Sequence, residues 1–419
     1  MNNRPPQDIT EMRVMTKLNA GTCCIIVAMI AASWTLPRIA RCADQVHKLT
    51  AQDVTEGDSF GYSVAVNDDT AIVGAPRLFK CGASGAAYVF DVTTGKTRHT
   101  LTSDDATKDD QLGFSVAISG GTVIVGTPQL FKTGGHGSAY LFDAATGAQQ
   151  HKLEAVDGAP HDHFGISVGI SGKTAIVGSR LDDDAGHASG SAYLFDVATG
   201  RQLHKLIASD ATAGDKFGQA VAIGGDVAIV GSAPGFFLPG SAYVFDVATG
   251  KQLHKLTPDD SAPGNFFGSS LAVSGTTAIV GCLRDHHAGH HSGSAYLFDV
   301  TTGKQRFKLT AKDALAYDHF GTSVAISGTT AVVGSLRNDQ TTGSAYLYDV
   351  RTGRQLSKFT APDAMAGHFF GTSVGIGGNT VIVGSRVDEL DAFSEIRSFT
   401  GAAYLFAFPN QEHGSANGR

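Results

Sequence analysis

Seven near-copies of one dipeptide limit what this chain can become. Phe60-Gly61, Leu112-Gly113, Phe164-Gly165, Phe217-Gly218, Phe267-Gly268, Phe320-Gly321 and Phe370-Gly371 recur with 50 to 53 residues between successive glycines. A repeat of this length marks one supersecondary unit stacked on its neighbours, because a single unit cannot bury its own apolar surface. Each unit reads as four strands. In the third unit, 166–170 forms a crowded inner strand and Ser171-Gly172-Lys173 turns the chain into 174–178. A longer loop reaches 191–195, and the turn Asp196-Val197-Ala198-Thr199-Gly200 leads to an outer strand over 202–206. Glycine in such turns supplies the positive φ that a hairpin needs. The strands are apolar on both faces, which suits a blade held between two others.

The ends of the repeat array complement one another. An extra outer-type strand, Val46-His47-Lys48-Leu49-Thr50, precedes the first anchor, and the last unit stops after its third strand, Ala403-Tyr404-Leu405-Phe406. The leading strand therefore completes the last unit and leaves no open edge. The predicted fold is all-β, a seven-bladed β-propeller of four-stranded antiparallel blades over residues 44–408. Residues 409–419 are expected to form a disordered tail.

Residues 1–43 have a different composition. Arg13 and Lys17 precede the apolar run 23–32, and small residues near Ala40 and Ala43 follow. This is the layout of a signal peptide, with an uncleaved N-terminal anchor as the alternative; the run is shorter than the roughly 20 residues of a membrane span. Export to the periplasm, cell surface or medium is therefore expected, with no membrane span after cleavage. Without this segment the chain has 27 basic and 37 acidic residues. So acidic a chain lacks the electrostatic footprint of a nucleic-acid binder. Beyond the apolar run only Cys42, Cys81 and Cys282 remain, too few for a disulfide framework.

The units resemble FG-GAP repeats, the blade motif of integrin α-subunit propellers. The likeness rests on Phe60-Gly61-Tyr62-Ser63-Val64-Ala65, Ile72-Val73-Gly74-Ala75-Pro76 and Gly85-Ala86-Ala87-Tyr88-Val89-Phe90, echoed in the other six units. It is nearest the bacterial secreted branch. The resemblance implies a propeller with binding or adhesion roles and usually no catalysis. Many such blades hold calcium between their first two strands, but here those turns read Asn67-Asp68-Asp69-Thr70, Ser119-Gly120-Gly121-Thr122 and Ser274-Gly275-Thr276-Thr277. Calcium wants six to eight oxygens, commonly from several carboxylates in one loop, so no calcium and no other cofactor is expected there.

Because strand direction alternates, the second-to-third loops and the blade-to-blade linkers share one face. They are the long ones, which makes that face the expected binding surface. One set of residues on it repeats. Asp53, Asp105, Asp157, Asp210, Asp260, Asp313 and Asp363 each stand eight residues before the anchor glycine. A residue required in every blade is read as scaffold, its carboxylate capping turn amides. A second acidic position lies three before the glycine, at Asp58, Asp110, Asp162, Asp215 and Asp318.

The residues that differ between blades are the better binding candidates. They are Arg180, Asp182, Asp184 and His187 in blade 3, Phe236 and Phe237 in blade 4, Arg284, His286 and His290 in blade 5, and Asp388 and Phe393 in blade 7. Imidazoles suit zinc, copper or nickel, but adjacent histidines in a flexible loop do not all ligate one ion, so no metal site is assigned. The favoured function is a secreted or cell-surface, non-enzymatic binding or adhesion module, acting as a monomer on a protein or glycan ligand. The alternative is a secreted hydrolase or lyase using Asp182, Asp184, His187 and His286 over the central channel.

Overall fold

The computed structural model describes residues 44–408 except 79, 81, 237, 339–341, 366 and 387–399. The segment 1–43, the tail 409–419, Phe237, Asp388 and Phe393 lie outside the described residues. The chain forms seven four-stranded antiparallel sheets; in six of them the strands run in sequence order from channel to rim, and in the seventh the N-terminal strand takes the rim position. In blade 3 the strands are Phe164–Ser171, Thr174–Ser179, Ser191–Asp196 and Gln202–Leu206. The inner strand starts two residues earlier than its alternation suggests, because the Phe-Gly anchor is itself paired, Phe164 opposite Ser179 across a bulge.

The seventh sheet closes as its ends predict. Asp44–Leu49 runs antiparallel to Ala402–Ala407, with Leu49 opposite Ala403 and Lys48 opposite Tyr404. Leu49 is fully buried. A second seal lies near the channel, where the Phe60 amide donates to Thr400 O at 3.2 Å and Ser373 Oγ donates to Gly61 O at 2.9 Å.

Those two contacts repeat around the ring and explain the anchor. Phe164, Phe217, Phe320 and Phe370 each donate their amide to a loop carbonyl of the preceding blade. Their rings are buried against the third-strand aromatics of their own blade, as Phe164 is against Tyr193 and Phe195. The glycine then lets two backbones touch. Gly165 sits at φ 88°, and a Cβ there would lie 2.3 Å from Ser138 O. The core is thus a set of sheet-to-sheet clusters, each drawing residues from two adjacent blades.

The two acidic positions of the linker do different jobs. The nearer one caps its own turn: Asp58, Asp110, Asp162, Asp215 and Asp318 accept the amides of Thr55, Thr107, Ala159, Thr212 and Leu315 at 2.6–2.9 Å. The farther one ties the linker to the sheet. Asp105, Asp157, Asp210, Asp260 and Asp313 accept from Lys152, Lys205, Lys255, Lys308 and Lys358 at 2.5–2.8 Å, and Asp363 accepts from Lys48 of the closing strand. Each lysine stands opposite a third-strand tyrosine whose hydroxyl reaches the same carboxylate in several blades, as Tyr140 reaches Asp105 at 2.8 Å. Blade 1 has Thr100 in place of the lysine, and Asp53 accepts from Tyr88 alone of this pair.

These pairs give stability a defined pH dependence. Partial burial pushes the six lysine-bound carboxyls up, but the lysine and tyrosine hydrogen bonds outweigh it and hold each below the ordinary aspartate value. Their contribution is present above the unfolded-chain pKa of about 4 and is lost as pH falls through the lower folded values. His163 acts in an earlier window. Burial, then Arg180 and His161, push its pKa down from 6.5 to about 4. The unfolded chain takes up this proton near 6.5 while the folded chain resists until about 4, so stability drains between those two values. The urea midpoint is expected to fall from pH 6.5 to 4 and more steeply below 4, with His163→Gln flattening the first part. An unchanged first slope in that variant counts against this assignment.

Candidate functional site

Each inner strand begins at the long-loop face, so its first residues ring one mouth of the channel. There a cavity of about 280 Å³ is lined by the first three residues after every anchor glycine. The upper ring carries Tyr62, Phe114, Ile166 and Gln219, then Ser269, Thr322 and Thr372; a collar of Val64, Val116, Val168, Val221, Leu271, Val324 and Val374 lies below. Just outside sits the residue preceding each Phe-Gly or Leu-Gly anchor. Ser59, Gln111, His163, Lys216, Phe266, His319 and Phe369 all have left-handed backbones, with φ between 42° and 65°.

Arginines from the second-to-third loops lean over this rim. The Arg284 guanidinium lies 4.5 Å from the Phe236 ring centre and 4.7 Å from that of Phe266. Phe236 and Phe266 meet edge-on at 5.4 Å. Arg337 covers Phe369, Arg386 covers Tyr62 at 4.9 Å, and Tyr62 stacks on Phe114 at 4.8 Å. Arg180 donates to Gln219 Oε1 at 3.1 Å. Among the described residues the arginine ion pairs are those of Arg77, Arg98 and Arg351, so these four rim arginines have aromatic or amide neighbours and no carboxylate. A guanidinium held on an aromatic face keeps its charge and its outer N–H groups toward solvent. In an acidic chain this is a local positive rim.

The other predicted residues divide sharply. Asp182 is buried and accepts from Tyr193 Oη at 2.8 Å and Lys205 Nζ at 3.0 Å. Asp184 takes the same lysine, so both belong to the sheet-to-linker tie of blade 3. His187 is almost fully exposed and lies 3.5 Å from Asp183. These three belong to blade 3 and His286 to blade 5, so the four side chains of the hydrolase or lyase alternative are not brought together. Phe236 is 62% exposed and serves as the outer plate beneath Arg284.

Nothing in the spacing of the blade 5 histidines signals convergence, yet three of them meet. The ring centres of His286, His290 and His291 lie 3.9–5.3 Å apart, and their nearest ligand atoms all fall within 4.8 Å of one another. The loop is fastened to the next linker, where Tyr317, His319 and Phe320 donate their amides to the carbonyls of His290, His291 and Ser292 at 2.7–3.1 Å. The Tyr317 and His319 rings pack against the cluster. Burial, then Arg337, push the His319 pKa down to about 4. Sequence reasoning missed His291, Tyr317, Phe266, His319, Arg337, Phe369 and Arg386. For Phe266, His319 and Phe369 the signal available was the position before each anchor, which takes five residue types over seven blades while its flanks largely repeat.

The first-to-second turns are braced by hydrogen bonds of their own. Asn67 Oδ1 is engaged by the Thr70 amide at 2.9 Å, and Ser119, Ser171 and Ser274 accept amides from the turn of the next blade. The serine-glycine turns carry no carboxylate, whereas the turn of blade 1 carries Asp68 and Asp69. Among the described residues no helix is long and apolar enough to cross a membrane.

No curated protein matches the chain. A family model described as FG-GAP repeat matches residues 43–90, 97–142, 148–195, 201–245, 251–298, 304–348 and 354–406. Each matched stretch begins at the outer strand of one blade, or one residue before it in the sequence, and ends in the third strand of the next, the same offset that closes the ring. With seven matches that together span most of its length, the chain belongs to the FG-GAP repeat family.

Proposed function

We propose that this propeller is a non-enzymatic binding or adhesion module, secreted or held at the cell surface, whose arginine-lined channel mouth takes an anionic group of a protein or glycan ligand. The reading rests on Arg284, fixed between two aromatic rings without a carboxylate partner among the described residues. Evolved binding sites place rigid aromatic anchors and desolvated arginines at their energetic centres. Arg180, Arg337 and Arg386 extend the same chemistry around the rim. A carboxylate or sulfate laid across the mouth would meet several outer N–H groups at once, and among the described residues it would not compete with an internal ion pair.

An array of carboxylated and sulfated glycans beside their neutral parents, together with a surface pull-down, tests this. Preference for the anionic members, weakened by salt, is expected. A charge-assisted hydrogen bond is worth about 1.5–3 kcal/mol, so Arg284→Gln should weaken binding roughly 10- to 150-fold. Equal binding of neutral and anionic ligands, or an unaltered Kd in Arg284→Gln, refutes the proposal.

A further inference from the structure

We infer that blade 5 carries a binding site for a borderline divalent transition ion such as Zn2+, with His286, His290 and His291 as its protein ligands. This site is independent of the anionic ligand proposed for the channel mouth. Three imidazoles come from a stretch of six residues, and their ligand atoms already lie within 4.8 Å of one another. Tetrahedral zinc with bonds of 2.0–2.1 Å places its nitrogens about 3.4 Å apart, so closing on an ion needs movements of at most roughly 1.5 Å. The His286 and His290 rings are exposed, and side-chain rotation supplies that movement. Three protein ligands and a solvent-facing fourth position form the donor set of an open zinc site. All-nitrogen ligation selects zinc, copper or nickel over calcium or magnesium.

Blade 3 supplies an internal control. Its loop folds identically: Gly186 and Gly289 have φ 122° and 124°, and Ala188 and His291 have φ 52° and 54°. In blade 3 the Ala188 amide donates to Asp183 Oδ1 at 2.6 Å; in blade 5 the His291 amide donates to His286 Nδ1 at 3.3 Å. His286 therefore stands where Asp183 caps the loop, but its bond is long and readily exchanged for a metal. Capping explains one imidazole. It does not explain His290 and His291 packed against it, for among the described residues neither of those rings forms a hydrogen bond. The backbone beneath them is held by amides of the next linker, so the ligands start from a fixed platform.

Titrating Zn2+ calorimetrically into the full chain, purified without a polyhistidine tag, should show one saturable site. Co2+ at the same site should give the visible absorption of tetrahedral coordination. His291→Ala installs the residue that blade 3 already accommodates at this φ, and it should weaken Zn2+ binding by more than about tenfold, a scale that even outer-shell changes can reach. His187→Ala should leave the isotherm unchanged. Should His291→Ala lower the melting temperature, His290→Gln makes the same test from an exposed position. Absence of saturable heat in the parent chain, or an isotherm that survives both His291→Ala and His290→Gln, overturns the site.

Discussion

Deleting Asp44–Leu49 is expected to lower the unfolding free energy by on the order of 5 kcal/mol and to make the protein associate. Burial of Leu49 accounts for about 1.5–3 kcal/mol. The ladder to Ala402–Ala407, with five paired positions, adds about 0.5–1.5 kcal/mol net per hydrogen bond. Loss of this strand also bares an apolar edge that includes the fully buried Ala403 and Leu405, and an open edge of this kind recruits other chains. Urea unfolding reports the loss of stability and size-exclusion chromatography the association. A synthetic peptide spanning 44–52 should restore a monodisperse species by occupying the vacant position. A deletion variant with the parental urea midpoint and elution volume would show that the closing strand contributes nothing to the ring.

The second large effect lies in an anchor aromatic. Phe217 is fully buried, meets Tyr243 and Phe245 at 5.5 and 5.8 Å, and packs on Leu194 and Leu206 of the preceding blade. Phe217→Ala removes apolar contact from both blades at once and should cost about 3–5 kcal/mol. Phe217→Leu, closer in volume, should cost about 1.5 kcal/mol or less. Phe236→Ala, at an exposed ring, should stay within about 0.5 kcal/mol of the parent. If Phe217→Ala and Phe236→Ala proved equally mild by urea unfolding, the role assigned to the anchor would be wrong.

The scaffold was readable in the chain because its rules are local and repeated seven times. Strand alternation, the glycine turns and the complementary ends of the array predict blades, faces and closure, and each is found. The acidic linker positions were only half readable. Asp58 and its counterparts cap turns, a relation spanning three residues. Asp210 meets Lys255, 45 residues away, and that pairing follows from sheet register, which no local pattern exposes. The rim depends on still more distant relations. Arg284 is flanked by Phe236 from the preceding blade's loop and Phe266 from the linker. The three histidines converge because amides of Tyr317 and His319 pin the loop that bears them.

The left-handed residues before the seven anchors bear on how the mouth of the channel can vary. Serine, glutamine, histidine, lysine and phenylalanine all occupy this conformation here. The fold imposes the same backbone strain on whichever L-residue stands there, so exchange among them leaves the architecture nearly indifferent. Selection can therefore redraw the channel rim one sector at a time, while the fold that presents it stays constant.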